Sequence, residues 1–272
     1  MAPGQIGAGQ GAARPVGAGR GVNTGPDAIR RVAVVIPVHN EEQHLERALT
    51  AVRAAEARVA AELPGVAVQV VLVLDSCTDR SLQMAESFSG EDDRWVILPV
   101  SYRSVGNSRR AGVDAALAGA GRTAHAGGTA ADEAMRGVWL ANTDADSCVP
   151  EHWLVRQLEL AAAGADVVLG TVQPDPSGTH HELLARWHAR HVFSEHHPHV
   201  YGANLGLRAS SYLDVGGFPA VDFDEDRTLV DRLRSSGAGI VSTDSTRVLT
   251  SGRTAGRAPR GFAAYLLALA QS

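Results

Sequence analysis

The hydrophobic positions of this chain fall into short β-branched runs separated by longer amphipathic stretches. The run "VAVVIPV" at 32–38 predicts a strand buried on both faces, and 41–63 predicts the amphipathic helix that follows it. Further strands are predicted at 68–75, 95–100, 137–143 and 165–172, and further helices at 79–88, 105–117 and 150–164. Because strands that alternate with helices form right-handed βαβ units, the pattern predicts an α/β fold built on a parallel sheet.

Two segments depart from this alternation. Residues 1–30 are rich in Gly, Ala and Pro without periodicity, and we expect a disordered tail because they offer little apolar surface to offset ordering entropy. Small residues dominate 118–136, which predicts a mobile surface insertion. We expect a single domain over 31–272, composed of a first half at 31–150 and a second half at 151–272.

Composition excludes several classes of function. The 272 residues are 44% hydrophobic, enough for a substantial core, and the net charge of −5 lacks the basic footprint that nucleic acid requires. We therefore expect no nucleic-acid partner. All 25 basic side chains are arginine, since the sequence contains no lysine. This excludes a P-loop lysine and every mechanism that needs a Schiff base.

Cysteine content and hydropathy suggest a location. Cys77 and Cys148 are too few for a disulfide framework and do not form a metal-binding pair, so we expect a reduced, cytoplasmic setting. The apolar run that begins at Phe262 is about half the roughly 20 residues of a membrane-spanning helix. We expect neither a membrane span nor a signal peptide, and peripheral association with a membrane stays open.

Polar clusters follow four of the predicted strands, at the edge of a parallel sheet where ligands bind. They are 39–42, 75–79, 102–110 and 144–146. In the last of these, Asp144 and Asp146 are two residues apart, which in an extended segment places both carboxylates on one face. Such a pair suits a divalent cation that also binds substrate phosphates. A solvated turn that caps the helix beginning near Pro150 is the alternative.

Six segments, taken in order and spacing, resemble the family 2 glycosyltransferases with the GT-A fold. They are "VVIPVHNEE", "VLVLDSCTDRS", "GNSRRAG", "ANTDAD", "YGANLGLR" and "GGFPAVDFDEDRTLVDRLRSSG". The resemblance covers about residues 32–250. It implies an α/β, GT-A-like, doubly wound and mainly parallel central sheet flanked by helices.

The resemblance also assigns nucleotide-sugar-binding residues. Pro37, His39 and Glu41 would cradle the nucleoside, and Asp75 would hydrogen-bond the base. Arg109 would lie near the base or the diphosphate.

The Asp-x-Asp motif would then serve the donor, with Asp144 facing the ribose or sugar. Asp146, together with Asp144, would hold Mg²⁺ or Mn²⁺ against the two phosphates. Glu225 and Asp226 match the family's acidic pair, in which the second acid is the usual catalytic base. The alternative for Asp226 is an ordinary charge at a helix N-terminus.

On the acceptor side, the resemblance points to Tyr201, Gly202 and Asn204, for which packing and turn formation are the alternative. Seven histidines lie within 180–199, and we interpret this segment as polar and acceptor-facing in preference to a zinc site.

The sequence departs from the family pattern at three places. Arg110 stands where many members have asparagine, and the late histidine that binds metal in many members is missing. Arg253, Arg257 and Arg260 occupy that late region, either as a charged lid over the diphosphate or as a solvated basic loop. The Gln-x-x-Arg-Trp motif of processive synthases is absent, which favours addition of a single sugar.

These features predict a nonprocessive, metal-dependent, inverting glycosyltransferase, most simply a hexosyltransferase. Its donor would be a nucleoside-diphosphate sugar, with UDP favoured, and its acceptor is unassigned. A nucleotidyltransferase is a competing hypothesis, but the segment after the first strand lacks the expected glycine-rich loop and basic residue. A catalytically silent nucleotide-sugar-binding protein is the other.

Overall fold

The computed structural model describes residues 28–118, 134–191, 193–221, 223–256 and 261–271. The strands are β1 (Arg31–Val38), β2 (Ala67–Asp75), β3 (Trp95–Val100), β4 (Val138–Asn142), β5 (Ser147–Cys148), β6 (Val167–Pro174), β7 (Leu205–Arg208) and β8 (Ile240–Thr250). The helices are α1 (Leu45–Glu62), α2 (Ser81–Ser89), α3 (Val105–Ala118), α4 (Trp153–Ala162), α5 (His181–Arg190), α6 (Ala209–Asp214), α7 (Glu225–Ser235) and α8 (Phe262–Gln271). A single 3₁₀ turn, Gly202–Asn204, precedes β7.

Within the described residues, eight strands form one mixed sheet in the order β3-β2-β1-β4-β7-β6-β8-β5. The neighbours from β3 to β4 are parallel, whereas β7 is antiparallel to both β4 and β6. β8 runs parallel to β6. Because β2 and β4 lie on opposite sides of β1, the chain direction across the sheet reverses there, which is where α/β sheets bind ligands.

Strand directions bring the two halves of the chain to one edge. The carboxyl end of β4 lies beside the amino end of β7, since Asn142 pairs with Leu205. β8 ends at the same edge, where Thr250 pairs with Pro174 of β6. The loops after β1, β2, β4 and β8, and the turn before β7, therefore converge.

Helices cover both faces of the sheet. In β1 the even positions, such as Val34 and Ile36, pack in one core cluster with α1 and α4. The odd positions, such as Val35, pack in a second cluster with α3 and α7. The predicted α/β fold with helices on both sides of a mainly parallel sheet is therefore confirmed, and four of the seven strand pairings are parallel. α5 and α8 form a smaller third cluster around Trp187.

The expected boundaries shift at two places. The tail was placed at 1–30, yet Ala28 and Ile29 are buried, and Arg30 donates its amide to the carbonyl of Gly137. The insertion was placed at 118–136, yet Ala118 ends α3 and Met135 is buried. The structural expectations for 1–27 and 119–133 fall outside the described residues.

Close packing of α3 on the sheet depends on Gly112. A Cβ atom there would lie 2.5 Å from Cγ1 of Val35 and 2.8 Å from Cγ2 of Val73. We expect Gly112→Ala to lower the free energy of unfolding by about 1–3 kcal/mol, because β-branched core side chains cannot move aside. The direction of the change is informative, because replacing glycine by alanine at an exposed helix position normally raises the free energy of unfolding by about 1 kcal/mol. Urea denaturation measures the change.

Gly65 provides the control, because a Cβ atom there would meet nothing within 4 Å. Gly65→Ala should change the unfolding free energy by less than about 0.5 kcal/mol. Equal stability of the two variants would contradict the packing argument.

Candidate active site

The loops after β1 and β2 are bound to each other. Asn40 adopts a positive φ of 53°, and its side-chain oxygen accepts the amides of Thr78 at 2.7 Å and Asp79 at 3.3 Å. Nδ1 of His39 lies 2.6 Å from the carbonyl oxygen of Asp75. Pro37 pairs with Val73 in the sheet. The predicted nucleoside-binding residues thus lie close together in the fold, and their role stays a prediction.

Asp75 organises the loop between β3 and α3. Its buried carboxylate accepts the backbone amides of Arg103 and Ser104 at 2.8 and 2.9 Å. It also accepts the hydroxyls of Ser76 and Ser108 at 3.0 and 2.9 Å. Burial acts against the charge, but these hydrogen bonds outweigh it and hold the pKa of Asp75 below its ordinary value. The side chain that we expected to contact the base already has four partners within the protein.

Asp75→Asn is expected to lower stability at pH 7 by about 1–3 kcal/mol, because an amide cannot accept the bonds of both carboxylate oxygens. The pKa of Asp75 is lower in the folded than in the unfolded chain, so its contribution is present above the ordinary value of 3.8 and is lost as the pH falls through the folded pKa. Melting temperatures from pH 7 to pH 3 should therefore show the gap between wild type and variant narrowing below pH of about 4.

Asp93, which is exposed in the turn before β3, is the control for this series. The melting temperature of Asp93→Asn should equal that of the wild type at every pH of the series. If the difference in melting temperature between the wild type and Asp75→Asn stays constant down to pH 3, the role given to Asp75 is contradicted.

A buried guanidinium joins the two halves of the chain. Arg109 in α3 donates to Asp144 after β4, at 2.5 Å, and to Glu225 at the start of α7. Arg109 is 3% exposed and Glu225 is 5% exposed. Burial disfavours the charge of Arg109, but the two acids outweigh it and raise the pKa of Arg109 above its ordinary value. Burial raises the pKa of Glu225, with Arg109 acting against the shift.

Gly202 is placed between this ion network and the second acid of the pair. A Cβ atom at 202 would overlap the guanidinium of Arg109, so only glycine fits. The Gly202 amide donates to Oδ2 of Asp226 at 2.7 Å. Asp226 is partly exposed, whereas Glu225 is buried. The structure thus separates the acidic pair into one buried, ion-paired carboxylate and one oriented carboxylate that solvent can reach.

Asp146, the second acid of the Asp-x-Asp motif, faces Arg253 and Glu41. Its Oδ2 lies 3.0 Å from Nη2 of Arg253, which also makes two hydrogen bonds to Glu41, at 2.8 and 2.7 Å. Oδ1 of Asp146 accepts the hydroxyls of Ser147 at 3.2 Å and Thr250 at 3.3 Å. Burial raises the pKa of Asp146 to about 6, and Asp144 adds to the shift.

The charges at this edge favour a cation. The acids are Glu41, Asp144, Asp146, Glu225 and Asp226, and the bases are Arg109 and Arg253. Among these described side chains the acids outnumber the bases by three. No group of three or more His, Cys, Asp or Glu side chains in the described residues could hold a metal ion. The pair of acids in the Asp-x-Asp motif is compatible with an ion such as Mg²⁺, which takes one or two carboxylates from a protein and its other ligands from phosphates and water.

The predicted acceptor-side residues differ in exposure. Asn204 is buried; its amide accepts from Trp153 at 2.9 Å and donates to the carbonyls of Thr171 and Thr246 at 2.8 Å. This favours the packing role that the sequence left open for it. Tyr201 is partly buried, and burial raises its pKa to about 12. Its position directly before Gly202 keeps it next to Asp226.

The histidine-rich segment packs as an aromatic cluster. His191 stacks on Trp187 with ring centroids 3.6 Å apart, and His197 is buried against the carbonyls of Leu169 and Thr243. His199 lies 5.8 Å from the ring of Tyr201. In the described residues these histidines do not form a metal-binding group.

Three site residues escaped the sequence analysis. Ser104 precedes α3 and Ser108 lies in its first turn; both bind Asp75 and belong to the polar cluster 102–110, in which only the arginines were given a role. Gly106 contacts Glu225, because a Cβ atom at 106 would lie 3.0 Å from Cβ of Glu225. The small residues in "SVGNS" were the available signal, since they allow a helix N-terminus to approach another segment closely. Of the proposed arginine lid, Arg257 and Arg260 lie outside the described residues.

Comparisons with known proteins agree with this architecture. Residues 33–118 match the family described as Glycosyl transferase family 2. An undecaprenyl-phosphate 4-deoxy-4-formamido-L-arabinose transferase from Pseudomonas fluorescens (strain SBW25) is 30% identical over 208 residues, which is 76% of this chain and 50% of the relative. The chain thus spans half the length of that relative. None of the helices in the described parts of the chain has the length and apolar character required to span a membrane.

Solved structures match the fold at lower identity. A mannosyltransferase from Pyrobaculum calidifontis, in complex with GDP-Man and Mn²⁺, superposes with a TM-score of 0.57 at 17% identity, covering 88% of this chain and 61% of that one. Glucosyl-3-phosphoglycerate synthase from Mycobacterium tuberculosis, in complex with UDP, gives a TM-score of 0.50 at 15% identity and covers 95% and 84% of the two chains. This chain is therefore similar to glycosyl transferase family 2 over residues 33–118, and it has the GT-A fold.

Proposed function

We propose that this protein is a nonprocessive, metal-dependent, inverting glycosyltransferase that moves a sugar from a nucleoside-diphosphate sugar to an acceptor. The observation that carries the proposal is the Arg109 ion network. It joins Asp144, at the end of a nucleotide-side strand, to Glu225, the neighbour of the candidate base. The same guanidinium therefore fixes the relative position of donor-side and acceptor-side acids.

Donor binding falls to the loops after β1, β2 and β4. Asp146 and Asp144 would hold Mg²⁺ or Mn²⁺, which when bound neutralises charge on the departing diphosphate. Arg109 itself is committed to two carboxylates, so its role is to position Asp144 and to limit repulsion within the cluster. Pro37, His39 and the Asp75 loop would enclose the nucleoside.

We assign the role of general base to Asp226. Its carboxylate is partly exposed and oriented by the Gly202 amide, so it can take the proton of an acceptor hydroxyl as the oxygen attacks the anomeric carbon. Glu225 stays paired with Arg109 and acts as a positioning residue. Attack from the side opposite the leaving diphosphate inverts the anomeric configuration.

The relatives indicate the class of the sugar donor but not its nucleotide. The solved structures with this fold contain GDP-Man and UDP, and we retain a UDP-sugar as the favoured donor. A thermal-shift series with UDP, GDP and dTDP, each with and without Mn²⁺, tests this part of the proposal. We expect one diphosphate to raise the melting temperature in a Mn²⁺-dependent manner, because a ligand selective for the folded state stabilises it. No stabilisation by any nucleotide would contradict the proposal.

A polyprenyl phosphate is a second candidate for the acceptor. The curated relative is named for transfer to undecaprenyl phosphate. In this chain Val105, Val221 and Phe223 are exposed apolar residues in the two segments that meet where Gly106 contacts Glu225. They lie within four residues of Gly106 or Glu225 in the chain, and a prenyl chain that packed on them would lose contact with water.

The two acceptor classes differ in their need for a base. A phosphate monoester, with a second pKa of about 6, is largely ionised at pH 7 and needs no proton removed, whereas a hydroxyl does. Assays with a short prenyl phosphate and with simple glycosides therefore distinguish the classes. Release of nucleoside diphosphate identifies sugar transfer, whereas release of pyrophosphate would indicate the competing nucleotidyltransferase. Nucleotide binding without turnover on any donor would indicate the silent binding protein.

A further inference from the structure

The segment after β8 is held against the Asp-x-Asp loop. The Ser251 amide donates to the carbonyl of Asp146 at 3.1 Å, and the Asp175 amide donates to the carbonyl of Thr250 at 2.7 Å. Gly252 packs on Thr179 so closely that a Cβ atom would overlap its hydroxyl. These contacts fix the backbone just before Arg253, so its side chain reaches the cleft from a defined position.

Arg253 occupies the oxygen that a cation would need. Both oxygens of Glu41 accept from its guanidinium, and Nη2 also lies 3.0 Å from Oδ2 of Asp146. The other oxygen of Asp146 already accepts from Ser147 and Thr250. Both carboxylate oxygens of Asp146 are therefore engaged, and a divalent ion at Oδ2 would compete with the positively charged guanidinium of Arg253.

The same side chain is suited to bind phosphate. A guanidinium forms paired hydrogen bonds to phosphate as readily as to carboxylate. The side chain of Arg253 is 30% exposed, so it borders the cleft and is not enclosed in the core. A nucleoside diphosphate bound beside Asp146 would thus offer Arg253 new acceptors within the same cleft.

We propose that Arg253 is a diphosphate-binding residue that Glu41 and Asp146 hold until the nucleotide arrives. This inference rests on the proposed function. When a nucleoside diphosphate binds, Arg253 transfers its hydrogen bonds from the two carboxylates to the phosphates, which frees Oδ2 of Asp146 for the divalent ion. Nucleotide and ion then favour each other's binding, and the ion alone binds weakly because it competes with a guanidinium.

Arg253→Ala in the full chain tests the exchange through two binding measurements that do not depend on turnover. Mn²⁺ alone is titrated and the free ion followed by electron paramagnetic resonance, and the stabilising nucleoside diphosphate is titrated calorimetrically at saturating Mn²⁺. We expect Mn²⁺ alone to bind about 5-fold tighter or more, and the nucleotide to bind about 5-fold weaker or more. Effects of opposite sign are specific to the exchange, because a purely structural role would weaken both.

Two further variants make the result interpretable. Arg94→Ala removes a bidentate pair with Asp92 just before β3, at the opposite edge of the sheet, and should change neither affinity. Arg253→Lys keeps a cation beside the acids, so Mn²⁺ alone should bind as in the wild type while the nucleotide binds with intermediate affinity. Circular dichroism verifies that each variant is folded.

The outcomes separate the two proposals. Nucleotide binding by the wild type, with unchanged or weakened Mn²⁺ affinity in Arg253→Ala, overturns this inference and leaves the proposed function in place. Unchanged nucleotide affinity in Arg253→Ala also overturns it. Failure of the wild type to bind any nucleoside diphosphate with Mn²⁺ overturns the proposed function, and this inference with it.

Discussion

Asp226→Asn is expected to lower kcat for transfer to a hydroxyl acceptor by about 10²- to 10⁴-fold, which is the usual contribution of a positioned general base. An amide can still accept the hydrogen bond that the Gly202 amide donates at 2.7 Å, although it cannot also accept the bond that the Arg227 amide donates to the other oxygen of Asp226 at 2.7 Å. The main contact to Gly202 can therefore be kept while the basic group is lost. Nucleotide affinity should change little, because the proposed function assigns Asp226 to the acceptor side of the site. Initial rates of nucleoside diphosphate release, with calorimetric binding of the nucleotide, separate these two quantities.

Asp231→Asn is the matched control for this experiment. Asp231 lies on the same helix, α7, and pairs with Arg234 at 2.8 Å on the exposed surface. Its replacement removes one negative charge from the helix without reaching the cleft, so kcat should stay close to that of the wild type. Full activity of Asp226→Asn with a hydroxyl acceptor would contradict the assignment of Asp226 as the base.

Arg109→Ala is expected to cost about 3–5 kcal/mol of unfolding free energy, because it leaves the buried Glu225 and the adjacent Asp144 without their shared counter-charge. Sugar transfer should be lost as well, since both acids would reorient. Urea denaturation at pH 7 measures the first effect. Transfer assays at a temperature where the variant remains folded measure the second.

Two companion variants test the electrostatic cause. Arg109→Lys keeps the charge, but a single ammonium cannot reproduce the paired geometry, so intermediate stability is expected. The double variant Arg109→Met with Glu225→Gln removes opposite charges together. It should be more stable than Arg109→Ala, because it leaves fewer unpaired buried charges. A loss below about 1 kcal/mol in Arg109→Ala would contradict a buried ion network at this position.

The N-terminal half of the fold was predictable because its signals are local. β1, β2 and β3 are β-branched runs followed by amphipathic helices, and the observed bounds lie within a few residues of the predicted ones at most ends. The helix after β1 begins at Leu45, because the residues from Glu41 form a turn in which the Glu41 carbonyl accepts two amides. Convergence of the strand-end loops followed from parallel pairing alone.

The C-terminal half was harder to predict for physical reasons. β7 has four residues and β5 has two, too few for a periodic pattern. In β8, buried positions alternate with partly exposed ones along "STDSTRVLT", so polar residues obscure a strand whose pairing with β6 is set by tertiary contacts. The antiparallel pairing of β7 with β4 and β6 could not be derived from the sequence.

The candidate site, like the fold, was predictable only in part. Asp144, Arg109 and Glu225 were identified from motifs, and the structure brings them together. Their pairing could not be read from the sequence, because they lie on three elements far apart in the chain. The burial of Asn204 could not be derived either, because a motif position gives no information on whether an amide faces the cleft or the core. Roles in binding and catalysis remain predictions until the variants are measured.

The Arg109 guanidinium, which pairs with acids in both halves of the chain, also limits how this protein can be recombined with its relatives. A hybrid enzyme that joins residues up to 150 of this chain to the second half of a homologue would inherit Arg109 but not its opposing acid and glycine. Such a hybrid would fold well only if the homologue that supplies the second half has an acid equivalent to Glu225 and a glycine equivalent to Gly202. Exchange of substrate specificity by domain shuffling in this chain therefore has to move those three positions as a unit.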